Sequence, residues 1–356
     1  MGKPIIKRVA RRVLGDAFSD YLLYSRHCRR ILTSSGLPTG KAEGEDEYRR
    51  RWKRFSPWVD PYIYRLFSHY CGPTPDIIPE DILHRQIELT LNPRSYWDVY
   101  EDKNMFPLFV GAEHVPATVL GCVRGTMGEQ PRKAIDDCPY EELVLKPSVG
   151  TSCGDRVMRF RRQNDGRFIS TTGQPLTIDF LSQYGTDWVL QQAVVQHPFT
   201  ARNCTSATNT ARIVVYRSVG DGQPHVTSAY FRYGAQGAVV DNAHAGGRYV
   251  AIDVSTGLLA DTMRDDKGNG YPFPDAGCTF PCWDKMVELS HHVARCIPHH
   301  RLLALDMALG INEKPMLLEY NIGGFSSHAG YYVGQTVFGP WLDEVMQWVL
   351  AQDRQR

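Results

Sequence analysis

Two apolar segments near the C-terminal end of the chain carry acidic side chains where a buried strand seldom tolerates them. Asp306 lies within the run LLALDMAL, and Glu319 lies within MLLEYNI. Both runs are typical of β-strands, and the short turn at 311–313 between them predicts an antiparallel pair. A carboxylate among Leu, Ala and Met is costly to bury unless a cation neutralises it. The chain must therefore fold so that a cation reaches this pair of strands.

Asn321 adds a third oxygen ligand to the same place. It follows Glu319 by two residues, so on a strand the two side chains point to the same side. Two carboxylates and an amide suit Mg²⁺, or alternatively Mn²⁺, better than zinc. The alternative is that Asp306 pairs with an arginine and that Glu319 occupies a sheet edge. The matching alternation on the two strands favours a metal site formed by Asp306, Glu319 and Asn321.

A lysine followed by small residues forms a second feature, in the segment LVLKPSVGTSCGD. Lys146 ends a β-rich run, and the segment after it can bring backbone N–H groups and hydroxyls close to phosphate oxygens. The segment matches neither the Walker A loop nor the G-x-G-x-x-G motif. It indicates either a phosphate-binding loop or an ordinary turn. The small residues concerned are Ser148, Gly150, Thr151 and Ser152.

Two further cations lie outside these segments. Lys103 lies in YEDKNMF, and Arg212 lies in the predicted strand TARIVVYRS. Cationic groups beside a phosphate and a metal stabilise a transferring phosphoryl group. The alternatives are an ordinary lysine at a helix start and a surface arginine on a strand.

The pattern of apolar residues changes after residue 103. The first hundred residues show helical spacing, with helices predicted at 10–32, 47–70 and 79–92. Short β-rich runs and helices then mix without a strict βαβ alternation, which predicts an α+β fold. A last helix is predicted at about 335–350. The predicted division is a helical region at 1–100, a phosphate-binding subdomain at 101–190 and a metal-binding subdomain at 191–356.

Composition excludes several classes of protein. The 356 residues are 42% hydrophobic and 22% charged, which is typical of a globular protein with a sizeable core. No run of about 20 apolar residues predicts a transmembrane helix, and the N-terminus lacks the apolar core of a secretory signal. Nine cysteines spread through the chain do not indicate a disulfide framework. We therefore expect a cytoplasmic protein with reduced cysteines.

The net charge of +1 conceals an uneven distribution. Residues 1–60 contain 14 Lys and Arg against 7 Asp and Glu, giving +7 and leaving −6 for the remainder. A basic region of this kind suits an anionic membrane surface or an acidic partner, and the alternative is a solvated helix face. Nucleic acid is not an expected partner, because no nucleic-acid-binding motif accompanies the charge.

The order of these features resembles that of the ATP-grasp superfamily, from about Lys103 to Leu350. In that superfamily a strand lysine and a glycine-rich loop precede a hinge, followed by Asp and Glu-x-Asn on late strands. More narrowly, the chain is similar to the sugar-transfer associated ATP-grasp family. The segments that carry this resemblance are VVQHP, TNTARIVVY, GAVVDNAHAGG, LALDMAL and LLEYNIGG. It implies two α+β subdomains that grip ATP, preceded here by a helical N-terminal region.

The resemblance also implies roles for individual residues. Two lysines contact the nucleotide phosphates, the small-residue loop closes over them, and adenine meets the backbone between the subdomains. By this correspondence the nucleotide-binding residues are Lys103, Lys146, Ser148, Gly150, Thr151, Ser152, Gln191, Gln192, Val194 and Glu319. The metal ligands are Asp306, Glu319 and Asn321, and the catalytic cations are Arg212, Lys146 and Arg248. The acceptor side is lined by His244, Gly246, Gly247, Arg248, Ser326, Ser327 and His328.

Three positions depart from the pattern of better-known relatives. Gln191 and Gln192 stand where many relatives have glutamates, so no ribose partner is assigned. Ala304 stands where some ligases have an arginine, so that role falls to Arg212 or Arg248. The helical region at 1–100 replaces the Rossmann-like domain of many relatives.

The resemblance implies a ligase that uses Mg-ATP to join a carboxylate to an amine through an acylphosphate, releasing ADP and phosphate. The acid would be a small molecule or linked to a sugar. One alternative is a kinase of the same fold, with His328 or His244 as base or phosphate carrier. Another is a nucleotide-binding interaction module of a polysaccharide-assembly complex, attached through the basic N-terminal helices.

Overall fold

Helices and two antiparallel sheets form the protein. The computed structural model describes residues 16–150, 154–202, 204–238, 241 and 246–354. This content confirms the predicted α+β class. Within the described part of the chain, no helix combines the length and the apolar character needed to cross a membrane.

The N-terminal region is helical, as predicted. Helix α3 shows why such segments form: the Asp60 side chain accepts a hydrogen bond from the Tyr62 backbone N–H at 2.9 Å, and Pro61 occupies the first turn. A π-helical turn, Leu83–Ile87, joins α4 to α5. The helices are α1 (Asp16–Ser34), α2 (Glu45–Trp52), α3 (Pro61–Cys71), α4 (Glu80–Ile82), α5 (Glu88–Leu91), α6 (Trp97–Glu101), α7 (Phe106–Val110), α8 (Pro131–Asp136), α9 (Ile178–Tyr184), α10 (Pro198–Ala201), α11 (Trp283–Cys296), α12 (His328–Tyr332) and α13 (Leu342–Asp353).

The first sheet lies in the middle of the chain and has six strands in the order β2-β1-β6-β3-β4-β5. Leu145, Trp188 and Leu190 form part of its buried core. The predicted phosphate-binding Lys146 is the penultimate residue of strand β3, where the ladder with β6 pairs it with Val189. The strands are β1 (Thr118–Val123), β2 (Thr126–Met127), β3 (Glu142–Pro147), β4 (Met158–Arg162), β5 (Phe168–Ser170) and β6 (Trp188–Gln192).

The second sheet has seven strands in the order β11-β10-β9-β8-β7-β12-β13. All eight residues of β12 are buried, which explains why its sequence is an almost continuous apolar run. The predicted antiparallel pairing of β12 with β13 is confirmed. The strands are β7 (Thr210–Arg217), β8 (Pro224–Tyr233), β9 (Arg248–Ile252), β10 (Leu259–Arg264), β11 (Gly270–Pro272), β12 (Leu302–Leu309) and β13 (Pro315–Asn321).

Each face of the second sheet has its own core. Tyr216 and Leu302 on one face share a buried cluster with the N-terminal helices and with Val345 of α13. Ile213 and Leu303 on the other face pack with α11. The helical N-terminal region is therefore packed on the second sheet and on the last helix.

Some predicted boundaries differ from the structure. The last helix begins at Leu342 and not near residue 335, because the 3₁₀ turn Gly339–Trp341, which contains a proline, precedes it. Helix α12 was not predicted. The predicted subdomain boundary after residue 190 falls inside β6, and α7 packs with the second sheet although it belongs to the predicted first subdomain. The three-part division remains a prediction.

Part of the positive charge near the N-terminus is neutralised within the fold. Arg51 lies 2.7 Å from Asp343 and 3.3 Å from Asp76. These ion pairs join the helical region to itself and to α13. Docking on an anionic surface or an acidic partner remains a prediction.

Asn92 connects the helical region to the second sheet, and its loss is expected to destabilise the protein. Its amide nitrogen donates to the carbonyls of Leu302 and Ile322, each at 2.6 Å, and its amide oxygen accepts from the N–H groups of Arg301 and Leu302. Asn92→Ala removes four buried hydrogen bonds and should lower the free energy of unfolding by about 2–4 kcal/mol.

Urea denaturation measures this change. The exposed Asn312→Ala serves as the control and should shift stability by less than about 0.5 kcal/mol. Equal stability of Asn92→Ala and wild type would contradict the structural role of Asn92.

Candidate functional site

A cleft of about 1490 Å³ is lined by residues of both sheets and of helix α1. The first sheet contributes Lys146 and the second contributes Asp306 and Glu319. A cavity of this size, with a few convergent charged groups, is typical of a ligand-binding site.

Asp306 lies on β12, between Arg212 on β7 and Glu319 on the edge strand β13. Its carboxylate accepts two hydrogen bonds from Arg212, one of them 2.7 Å long, and one from Arg232 at 3.1 Å. Burial would raise the pKa of Asp306, but the two guanidinium groups hold it below its usual value. The expected cation is thus partly supplied by the protein itself.

Glu319 lies beside the predicted phosphate-binding lysines. Lys103 Nζ lies 3.0 Å from Glu319 Oε1, and Lys146 Nζ donates to the backbone carbonyl of Leu318 at 3.1 Å. Lys103 is almost completely buried, whereas about a third of the Glu319 side chain is exposed. Two lysines from separate segments therefore meet next to one carboxylate.

The oxygen ligands predicted to hold a metal lie on neighbouring strands. Asn321 is paired with Ala304, and its amide nitrogen donates to the Ala304 carbonyl at 3.3 Å. A carboxylate has about four lone-pair positions, and the arginines occupy three of those of Asp306. The residues present fit a hard divalent cation, because their donor atoms are oxygens and the cleft reaches all three side chains.

The segment predicted to contact adenine also lines the cleft. Gln191, Gln192 and Val194 are among its lining residues, together with the apolar Val144 and Leu318. The Gln191 amide nitrogen donates to the Pro116 carbonyl and to Thr118 Oγ1, each at 3.3 Å. This end of the cleft offers apolar walls and backbone groups, which suits a planar heterocycle.

The predicted glycine-rich loop is only partly described. Ser148 is fully buried, and its carbonyl accepts the Lys103 N–H at 3.1 Å, so it positions the lysine from below the cleft surface. Gly150 has a φ of +68°, which a residue with a side chain rarely adopts. Gly154 lines the cleft. Thr151 and Ser152 lie outside the described residues.

Arg248 lies away from the other site residues. It is paired with Tyr233 on the sheet face that packs against α11, and its guanidinium carbon lies 3.8 Å from the centre of the Tyr271 ring. Its neighbour Tyr249 lines the cleft, so the alternation of the strand turns Arg248 to the opposite face. This position does not support a catalytic role for Arg248.

The predicted acceptor residues separate into two groups. Ser326 and His328 line the cleft, and Ser327 is buried beneath them. Gly247 is buried before β9, Gly246 is exposed with a φ of +86°, and neither is among the lining residues. His244 lies outside the described residues.

Several lining residues were missed by sequence reasoning. Arg232 contacts Asp306 and also Asp241, at 2.5 Å. Pairing of β7 with β8 places Arg232 opposite Thr210, two residues from Arg212, so knowledge of this strand register would have identified Arg232 as a site residue. Tyr24, His27 and Arg30 of α1 form another wall. No local signal identifies them, because the docking of α1 is a long-range contact.

The fold, with a cleft between two antiparallel sheets, is of the ATP-grasp class. The chain belongs to the sugar-transfer associated ATP-grasp family, whose model matches residues 83–327, more than two thirds of the sequence. The resemblance and the fold predicted from it are thereby confirmed.

Solved ATP-grasp structures are similar to the chain at low identity. VanG D-Ala:D-Ser ligase from Enterococcus faecalis is 12% identical over 70% of this chain and 61% of its own, with a TM-score of 0.44. The L-amino acid ligase from Bacillus licheniformis is 14% identical over 66% and 43%, with a TM-score of 0.39. The PurK N5-carboxyaminoimidazole ribonucleotide synthetase is 13% identical over 67% and 50%, with a TM-score of 0.40. The chain thus spans roughly half of the length of these proteins. No curated protein matches the sequence as a relative.

Proposed function

We propose that the protein is an Mg-ATP-dependent ligase that joins a carboxylate to an amine. The observation that carries this proposal is the meeting of Lys103 and Lys146 with Glu319 in one cleft, next to Asp306. Membership in an ATP-grasp family supports ATP as the nucleotide. The predicted roles of the individual site residues, apart from the catalytic role of Arg248, are part of this proposal.

The cleft suits a nucleotide in one orientation. Adenine would occupy the apolar end near Gln192 and Val194. The phosphates would lie near Lys146, which lines the cleft, and near the buried Lys103 beside Glu319. Asp306, Glu319 and Asn321 would hold Mg²⁺ or Mn²⁺. A bound divalent cation neutralises charge on the transferring phosphoryl group.

The chemistry requires two displacements. A carboxylate oxygen of the acid attacks the γ-phosphorus, forming a C–O–P linkage, and ADP leaves. The amine nitrogen then attacks the acyl carbon, phosphate leaves with the bonding electrons, and the amine loses a proton to give the amide. Lys146 and Arg212, which both line the cleft, would stabilise negative charge on the phosphoryl group during both steps.

The acceptor end of the cleft lies between the second sheet and α1. His27 and Arg30 of α1 face Ser326 and His328 across this end of the cavity. Hydrogen-bond donors of this kind suit an acid that carries hydroxyl or further anionic groups, as a sugar-linked carboxylate does. The helical region would thus supply the acceptor contacts that other ligases take from a different domain.

Hydroxylamine trapping tests the proposal. Purified protein, Mg-ATP, hydroxylamine and a fractionated pool of carboxylic acids should give a hydroxamate together with ADP and phosphate. A stable phosphorylated product without a hydroxamate would support a kinase instead. Absence of turnover with every fraction would contradict an enzymatic role and support the interaction module.

The affinity of the protein for nucleotide is expected to fall as the pH rises through about 8. Burial, and then the charge of Lys103, lower the pKa of Lys146 to about 8. A lysine with a lowered pKa is charged below that pH and loses its charge above it, so phosphate binding weakens there. Calorimetric titration with ADP across this pH range measures the effect.

Lys146→Arg provides the matched control, because arginine stays protonated throughout the range. Its ADP affinity should vary less with pH than that of wild type. Identical pH profiles for the two proteins would show that Lys146 does not set the dependence.

A further inference from the structure

A second cluster of ligand-type side chains lies where the N-terminal helices meet the second half of the chain. Cys28 of α1, Glu80 of α4 and His328 of α12 place one ligand atom each within 4.8 Å of one another. Cys28 is 0% exposed and Glu80 is 6% exposed, and the His328 side chain is 13% exposed. The three residues come from distant segments, so their spacing in the sequence gives no sign of the cluster.

The ligand atoms of this cluster face one another inside the fold. His328 Nε2 lies 2.9 Å from Glu80 Oε1. The ring of Phe67 lies 4.7 Å from that of His328, centre to centre. A thiol, a carboxylate and an imidazole from three separate segments thus converge on one point inside the fold.

We propose that Cys28, Glu80 and His328 form a binding site for a divalent transition-metal ion, with zinc as the ion that the donors suit best. A thiolate, an imidazole and a carboxylate are zinc ligands, whereas Mg²⁺ and Ca²⁺ prefer oxygen alone. Zinc bonds of about 2.0–2.3 Å separate tetrahedral ligand atoms by about 3–4 Å. The three ligand atoms, all within 4.8 Å of one another, lie close to that spacing.

The site has an open side. Glu80 and His328 line the cleft, whereas Cys28 lies behind them in the core. Three protein ligands with a fourth position open to solvent or substrate are typical of zinc sites that bind an exogenous group. The ion would therefore face the acceptor end of the cleft and would also hold α1 and α4 against α12.

This site is distinct from the proposed magnesium site. Asp306, Glu319 and Asn321 offer oxygen donors, whereas the Cys28 site includes sulfur. A bound ion with a thiolate ligand has an absorption band that oxygen ligands do not produce. The inference therefore does not depend on the ligase proposal, and its test does not depend on turnover.

Cobalt substitution tests the proposal. The full chain is stripped of metal with a chelator and titrated with Co²⁺ while near-ultraviolet absorption is recorded. Wild type should bind one equivalent that produces a thiolate-to-cobalt charge-transfer band, and Zn²⁺ should displace it. Cys28→Ser should lose the band. Cys71→Ser should keep the band, because the Cys71 thiol lies outside the cluster and donates a hydrogen bond to the Tyr331 carbonyl.

A second variant covers the case in which Cys28→Ser does not fold. His328→Gln changes a residue at the cleft wall, leaves the thiol in place and should weaken Co²⁺ binding by at least tenfold. Zn²⁺ should raise the Tm of the stripped wild type and of Cys71→Ser, since an ion that binds only the folded state stabilises it. Co²⁺ binding without the thiolate band, no Co²⁺ binding at all, or an unchanged affinity in His328→Gln would overturn the proposal.

Discussion

Glu319→Gln is expected to lower ATP turnover by about 10²–10³-fold, which is the cost of losing one group that stabilises charge in a transition state. Glutamine keeps the size of the side chain but removes the charge that lies 3.0 Å from Lys103. A neutral amide is also a poorer ligand for a hard cation. Release of ADP, followed at saturating Mg-ATP with the acid found by trapping, measures the change.

Glu313→Gln is the matched control. This exposed glutamate lies on the turn between β12 and β13, where its carboxylate is 3.5 Å from Lys285. It should leave turnover unchanged, because a solvated surface pair contributes little. Wild-type turnover in Glu319→Gln would remove the basis for the metal assignment.

Asp306→Asn is expected to lower the free energy of unfolding by about 3–5 kcal/mol, the usual cost of breaking a buried ion pair. Asparagine is nearly isosteric but leaves the charges of Arg212 and Arg232 without the carboxylate between them. Both guanidiniums are held mainly inside the fold, at 12% and 19% side-chain exposure. Chemical denaturation followed by circular dichroism measures the loss.

Asp221→Asn provides a comparison at the surface. Its carboxylate pairs with His225 at 3.1 Å and is about half exposed. Its replacement should change stability by less than about 1 kcal/mol. If Asp306→Asn is no less stable than Asp221→Asn, the arginine cluster does not depend on the Asp306 charge.

The three metal-ligand candidates identified from the sequence share one property: local alternation reveals them. Asp306 interrupts an apolar strand, and Glu319 and Asn321 share one side of the next strand. The sequence left a metal and an arginine as alternative partners of Asp306. The structure shows the arginine contacts, and their geometry leaves one carboxylate position for a metal.

The features that were missed depend on contacts between distant segments. The docking of α1 on the cleft comes from a core shared by N-terminal helices and the last helix, and no periodicity encodes that contact. Arg248 was predicted to lie at the site, but its side chain is on the opposite face of the sheet. The pairing of β9 with β8 decides which side of β9 faces the cleft. Similarly, the last helix begins after the 3₁₀ turn that contains Gly339 and Pro340, although the apolar pattern predicted an earlier start.

Transfer of oxygen from the acid to phosphate tests the central claim most directly. The acid identified by hydroxylamine trapping is labelled with ¹⁸O in its carboxylate, and the phosphate released in the presence of the amine is analysed by mass spectrometry. Ligation through an acylphosphate predicts one ¹⁸O atom in each phosphate, with ADP as the other product. Unlabelled phosphate, or AMP with pyrophosphate, would contradict the proposed reaction.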